Sequence, residues 1–186
     1  MDKSLNKIRH ERSKRDFPGL KLEEDEYVEF AFSRAKICLL LILGGTSLGL
    51  ILILLAFLFT LMGQSMLDMM GRNFLFIILT ALLLAAFLIG VISFMIYRGN
   101  RLFITNQHII QLVMTSPFST SVNIIELSKV EDASFRQEGI LQKMFHYGTF
   151  RLATVGDETT YTFKYSDISG ETLKAVSKLI SNYKDN

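Results

Sequence analysis

Apolar and polar positions are sharply segregated along this chain. Between Lys36 and Arg98 only Asp68 and Arg72 are charged. Inside that window lie two uncharged runs, Ile37 to Met62 and Phe74 to Tyr97. Each exceeds the ~20 residues that a helix needs to cross a ~30 Å hydrocarbon core. A buried helix of a soluble protein rarely runs this long without a polar face. The pattern predicts two transmembrane helices, 37–62 and 74–97. The linker between them, GQSMLDMMGRN, is short, so they form an antiparallel hairpin with both chain ends on one side. The first run begins too late and is too long for the ~7–15-residue core of a secretory signal peptide, so it reads as an uncleaved anchor.

From residue 98 onward the pattern changes to short β-branched and apolar runs. RLFIT and HIIQLVM are separated by a turn at Asn106-Gln107, and TSPFSTS makes the next turn. VNIIEL and KVEDASFR follow. Val130, Ala133 and Phe135 do not alternate strictly, which predicts a bulge. TFRLATV and TYTFKYS flank Gly156-Asp157-Glu158, a hairpin signal. Tyr161, Phe163 and Tyr165 share one face at a period of two. The tail SGETLKAVSKLISNY is helical: Ser169 caps it, Glu171 suits its N-terminal end, and Leu173, Val176, Leu179 and Ile180 form one stripe. The expected architecture is an α+β membrane protein. An N-terminal polar segment (1–36) precedes the hairpin (37–97), and a β-rich domain (98–183) follows, its open end closed by the C-terminal helix.

Charge sets the orientation. Lys21, Arg34 and Lys36 flank the first run, Arg98 and Arg101 follow the second, and the linker offers only Arg72. The positive-inside rule then places both termini in the cytoplasm of a two-span cell-membrane protein. Residues 1–21 carry seven Lys/Arg against three acids, the composition of a disordered segment or a weak helix that serves as a topology signal or touches anionic lipid. No aromatic or folded reader accompanies those charges, which argues against nucleic acid. Glu23 to Glu26 form an acidic cluster that reads as a solvated loop or helix start rather than a metal site. YVEFAF after it is a short strand or an extension of the first span. The single cysteine, Cys38, excludes a disulfide framework within one chain.

Chemistry is sparse. His146 with Glu138 or Asp157 lacks a nucleophile, and His108 and His146 lack metal-ligand spacing. The expectation is no enzyme and no cofactor. Within the runs there is no ionisable Asp, Glu, Lys, Arg or His, which counts against a transporter acting alone. Gly45 and Gly49 make a GxxxG that suits hairpin packing or a homo-oligomer. From residue 98 onward ten Lys/Arg oppose nine Asp/Glu. Lys129, Arg136, Lys143, Arg151 and Lys164 are nonetheless candidate contacts for lipid headgroups or a partner, should they converge. The favoured reading is a membrane-anchored module that offers a groove or sheet edge to a protein or peptide. A subunit of a transport or export complex, or a headgroup-binding domain, is the alternative.

The stretch RLFITNQHIIQLV through TFKY resembles the bacterial pleckstrin-homology-like domain of small membrane proteins. The matching positions are Arg101, Thr105 and Asn106; Ile125, Leu127, Val130 and Ala133; Gln137, Leu141 and Phe145; then Tyr147, Gly148 and Thr149. Ala133 is smaller than the Val usual there, and TSPFSTS lacks a Gly-rich turn. The resemblance implies a PH-like two-sheet barrel capped by the C-terminal helix, with no shared catalytic site. In that frame RQEGILQKMFHYGTFRLAT is architectural. Ile140, Leu141, Met144 and Phe145 are expected to plug the barrel, and Gly148 to adopt a backbone shape that only glycine takes cheaply.

Overall fold

A computed structural model of the chain describes residues 3–62, 69–154 and 160–184. The chain divides into two compact units, Met1–Ala35 with Arg98–Asn186, and Lys36–Tyr97.

The second unit holds α2 (Lys36–Met62) and α3 (Met69–Gly99). Both are long and apolar enough to cross a membrane. Thr46 packs on Gly90, and the Phe57 ring lies 5.1 Å from that of Phe76. Position rises along one helix as it falls along the other, so the pair is antiparallel. Gly90 matters because a Cβ there would come within 3.1 Å of Thr46. Nothing lies within 4 Å of a Cβ built on Gly45 or Gly49. The close approach inside the hairpin thus uses Gly90 and leaves that GxxxG unengaged. Residues 63–68 of the linker lie outside the described residues, and its remainder, with Arg72, is already helical.

The first unit runs α1 (Lys3–Asp16), β1 (Val28–Ser33), β2 (Arg101–Thr105), β3 (His108–Ser116), β4 (Ser119–Glu126), a 3₁₀ turn (Leu127–Lys129), β5 (Val130–Arg136), α4 (Ile140–Met144), β6 (Gly148–Thr154), β7 (Thr160–Ser166) and α5 (Gly170–Lys184). Two antiparallel sheets form, ordered β1-β2-β3-β4 and β5-β6-β7. They meet at one corner, where Arg34 bridges Ser166, but they do not close into a barrel. Between them lies the core, with Leu102, Ile104, Ile109, Leu127, Val130, Phe150 and Leu152 at 8% exposure or less. Val176 and Ile180 of α5 complete it, and Ser169 caps that helix by accepting from the Thr172 amide at 3.2 Å. The bulge expected in β5 lies between Val130 and Asp132.

Two expectations change. Residues 1–35 are not a separate segment, because β1 is the first strand of the sheet and its Ser33 pairs with Arg101. Its burial alternates along Val28–Ser33, which is the strand reading of YVEFAF. In β7, Tyr165 leaves the face it would share with Tyr161 and Phe163. Its φ of 62° and the register shift opposite Gly148/Thr149 turn it outward. The hairpin loop at Gly156-Asp157-Glu158 lies outside the described residues.

α1 buries no apolar stripe, its Leu5 and Ile8 being exposed, so it is held by specific contacts. His10 Nδ1 bonds the Glu26 carbonyl, and Ser13 Oγ accepts from the Val28 amide at 3.0 Å. Arg9 lies over the Tyr27 ring and pairs with Glu29 at 3.4 Å. Just past the helix, Phe17 meets Phe103 edge-on at 5.0 Å. This packing covers the outer face of β2 and explains why Leu102 to Thr105 are all buried rather than alternating.

Candidate functional site

The basic residues singled out in the sequence separate into three groups. In β5–β6–β7, Arg136 pairs with Thr149 and Thr149 with Lys164; in the next row Ser134 pairs with Arg151 and Arg151 with Thr162. All six side chains therefore stand on the outer face of the sheet, while Phe135, Phe150 and Phe163 point to the core. Arg151 is diagonal to both Arg136 and Lys164, the arrangement that puts side chains about 7–8 Å apart at their base. Together with Thr149, Thr162 and Glu138 the three cations line a shallow depression of about 200 Å³. Arg136 is held by Glu138 at 2.8 Å. Arg151 and Lys164 have no acidic partner among the described residues. Lys129 lies elsewhere, on the 3₁₀ turn, paired with Glu126 at 3.4 Å. Lys143 is exposed on α4.

The family motif Tyr147-Gly148-Thr149 sits where β6 begins. Tyr147 is buried, and its ring lies 6.1 Å from that of Tyr165, over which the Arg34 guanidinium is placed at 5.9 Å. Gly148 is required by proximity rather than by φ. A Cβ there would meet the Arg136 carbonyl at 2.5 Å and the Phe135 ring at 2.8 Å. The positive φ falls instead on Gly139 and His146. His146 is exposed, and the described residues contain no His/Cys/Asp/Glu group able to hold a metal ion.

One polar cluster was not foreseen. Glu26, the last of the acidic run, is 1% exposed. Its carboxylate accepts from the Thr105 hydroxyl at 2.6 Å and the Glu23 amide at 2.9 Å, with His108 Nδ1 at 3.1 Å. Burial acts to raise its pKa, but the hydrogen bonds from Thr105, Glu23 and His108 and the His108 charge outweigh it, so the group sits below the usual carboxylate range. Asn106 adds a bond to the Tyr27 amide at 2.9 Å. The cluster ties the segment before the hairpin to the β2–β3 turn beyond it, a structural task. The sequence signals were one acid ending a run, followed by Tyr, and the Leu-x-x-x-Glu spacing from Leu22 to Glu26 that resembles the family's approach to its helices.

The reading of α4 is overturned. Ile140, Leu141, Met144 and Phe145 do not plug the core; they are 44–84% exposed. Gln137 and Gln142, both half-buried, tie the segment to loop backbone instead. The Gln142 side chain accepts from the Glu138 amide, and Gln137 donates to the carbonyls of Gln142 and Tyr147 at 3.3 and 3.2 Å.

A bent two-sheet domain with one C-terminal capping helix defines a PH-like class of domain. The family model "Bacterial PH domain" matches residues 37–184, and the chain belongs to that family. No curated protein matches the chain significantly. Among solved structures, it is similar to a DUF1696 family protein with a pleckstrin-homology domain from Shewanella loihica PV-4. The likeness covers 46% of this chain and 70% of that one, at 12% identity and a TM-score of 0.33, too weak to carry a conclusion.

Proposed function

We propose that this protein is a non-enzymatic binding module, anchored in the cell membrane by the α2–α3 hairpin and holding anionic lipid headgroups on the outer face of β5–β6–β7. The observation that carries this reading is the cross-strand trio of Arg136, Arg151 and Lys164, flanked by the hydroxyls of Thr149 and Thr162. Glu138 offsets Arg136, which leaves Arg151 and Lys164 as like charges on adjacent strands, and a phosphate relieves their repulsion while accepting from them and from the two hydroxyls. Each basic residue near an anionic surface contributes ~1 kcal/mol.

The length and apolar character of α2 and α3 support the anchoring. The pairing of β1 with β2 supports both flanks of the hairpin lying on one side of the bilayer, since hydrogen-bonded strands share a compartment. The excess of Lys and Arg on those flanks favours the cytoplasmic side.

The full-length protein, purified in neutral detergent and offered equal phosphatidylglycerol and phosphatidylcholine, should retain the former preferentially in native mass spectra. The double substitution Arg151→Ala/Lys164→Ala should remove that preference. Equal retention by the wild type, or a preference that survives the double substitution, rejects the headgroup site.

A protein- or peptide-binding role has its own support. β4 ends its sheet, and its Val122 and Ile124 are exposed, so a peptide strand can add to that edge.

A further inference from the structure

Among the exposed apolar side chains of the first unit, Phe118 and those of α4 belong to segments next to the points where its chain leaves for the hairpin. At one exit, Ser33 pairs with Arg101, and the Ala35 amide donates to the Tyr165 carbonyl at 2.6 Å just before α2 begins. Tyr165 packs against Tyr147, three residues past the end of α4. At the other exit, Asn100 exchanges hydrogen bonds with Met114, at 3.0 and 3.3 Å. Gly99 is pressed so closely on Met114 that no Cβ fits. Two residues beyond Ser116, in the β3–β4 turn, Phe118 is 99% exposed. Each exit is thus flanked by an apolar projection that does not serve the core.

We propose that Phe118 and the α4 side chains Ile140, Leu141, Met144 and Phe145 form a second, non-spanning membrane contact, seated at the boundary between headgroups and acyl chains. The proposal rests on the anchored reading above. α4 is a single turn, too short to be stable by itself. Hydrogen bonds of Gln137 and Gln142 with the surrounding backbone fasten it, so its exposed apolar residues belong to a tied turn rather than a loose loop. Burial of such side chains is favourable in any apolar surroundings. They flank the two points where the chain passes into apolar helices, and this makes lipid the occupant, because a chain tethered through Ala35 and Gly99 holds this end near the bilayer at high effective concentration. Exposed Lys143 and Arg101 bracket the patch with cations whose stems can lie along it while their charges reach phosphates. The Arg136–Thr149–Lys164 row borders the same end, so headgroup contact and apolar seating reinforce one another.

The chain contains no tryptophan, so single-tryptophan variants report position directly. Phe118→Trp, Phe145→Trp, Tyr183→Trp and Phe57→Trp are each reconstituted as full-length protein in vesicles with and without lipids brominated along the acyl chain. Tryptophan at 118 and 145 should emit at shorter wavelength than in water and lose most of its emission to brominated lipid. At 183, an exposed position lining a groove with Tyr27 and Asn106 at the opposite end of β1, emission should stay water-like and unquenched. Water-like emission at 118 and 145 with quenching at 57 overturns the second contact while leaving the anchor intact. A blue shift at 118 and 145 that bromine does not quench also overturns it, because a protein surface then covers the patch. Absence of quenching at 57 overturns the anchor, and the proposal with it.

Discussion

Glu26 shows how one residue joins distant parts of this chain. It is a buried carboxylate whose charge is stabilised by Thr105, the Glu23 amide and His108. Its pKa is lowered in the folded protein. The unfolded chain, with an ordinary Glu pKa of about 4.3, therefore takes up a proton before the folded one does. The stabilisation is fully present above that value and is lost as pH falls through the lowered folded value. Glu26→Gln should lower the melting temperature of the detergent-solubilised protein at neutral pH, where an amide leaves His108 and the Glu23 amide poorly satisfied. The difference between wild type and variant should shrink as the pH is brought from about 5 toward 3, within and below the carboxylate range. Parallel pH profiles for the two proteins would count against the network. In the local sequence only the Leu-x-x-x-Glu spacing from Leu22, part of the family resemblance, singled out Glu26 from Glu23 or Glu24. Its role depends on partners 79 and 82 residues away, and a turn such as Thr105-Asn106 advertises its bend but not what docks beneath it.

At the level of elements, legibility followed locality. Helix α5 was readable because its stripe and its Ser169 cap are local. The strand runs from Arg101 to Ser166 were readable because β-branched residues and turn signals are local too. The grouping of Arg136, Arg151 and Lys164 was not readable, because it depends on register across three strands, while Lys129 and Lys143 fall outside the strands, on the 3₁₀ turn and α4. The α4 stretch misled for a different reason. Four apolar residues in so short a stretch look like core by composition, yet the segment is tied down by the glutamines between and before them, and the apolar residues stay exposed. Gly148 was found by the sequence for the wrong reason, and the strand pair gives the right one. Its backbone passes so close to β5 that a methyl group would strike the Arg136 carbonyl and the Phe135 ring. Backbone cannot yield as a flexible side chain does, so Gly148→Ala should destabilise the first unit by about 1–3 kcal/mol through overpacking. Thermal unfolding checks this. An unchanged midpoint would show that β5 and β6 can separate locally at no cost.

For the whole molecule, the decisive feature is that the PH-like unit is discontinuous. The apolar pattern divided the chain into three consecutive pieces, but strand pairing unites the first with the third. Pairing between β1 and β2 spans the entire hairpin in sequence, and sequence pattern carries no signal for a partner so remote. The unit treats the two apolar helices as an insertion between adjacent antiparallel strands, whose ends at Ser33 and Arg101 are direct neighbours. A turn can replace such an insertion, since loop closure cost depends only weakly on length and short hairpin connections of about two to five residues are standard. Deleting residues 36–98 and joining Ala35 to Gly99 through about four Gly/Ser residues should give a protein that folds in mild detergent, with β-rich circular dichroism and a cooperative thermal transition. The fragment from residue 98 to 186 alone should not. It lacks β1, leaves β2 as a bare edge, uncovers Phe103 by removing Phe17, and strands Thr105 and His108 without Glu26. If the fragment unfolds as cooperatively and at the same temperature as the joined protein, β1 and α1 are ornaments on a self-sufficient domain. If only the joined protein folds, the two-helix hairpin is an insertion within one domain whose strands come from both sides of it.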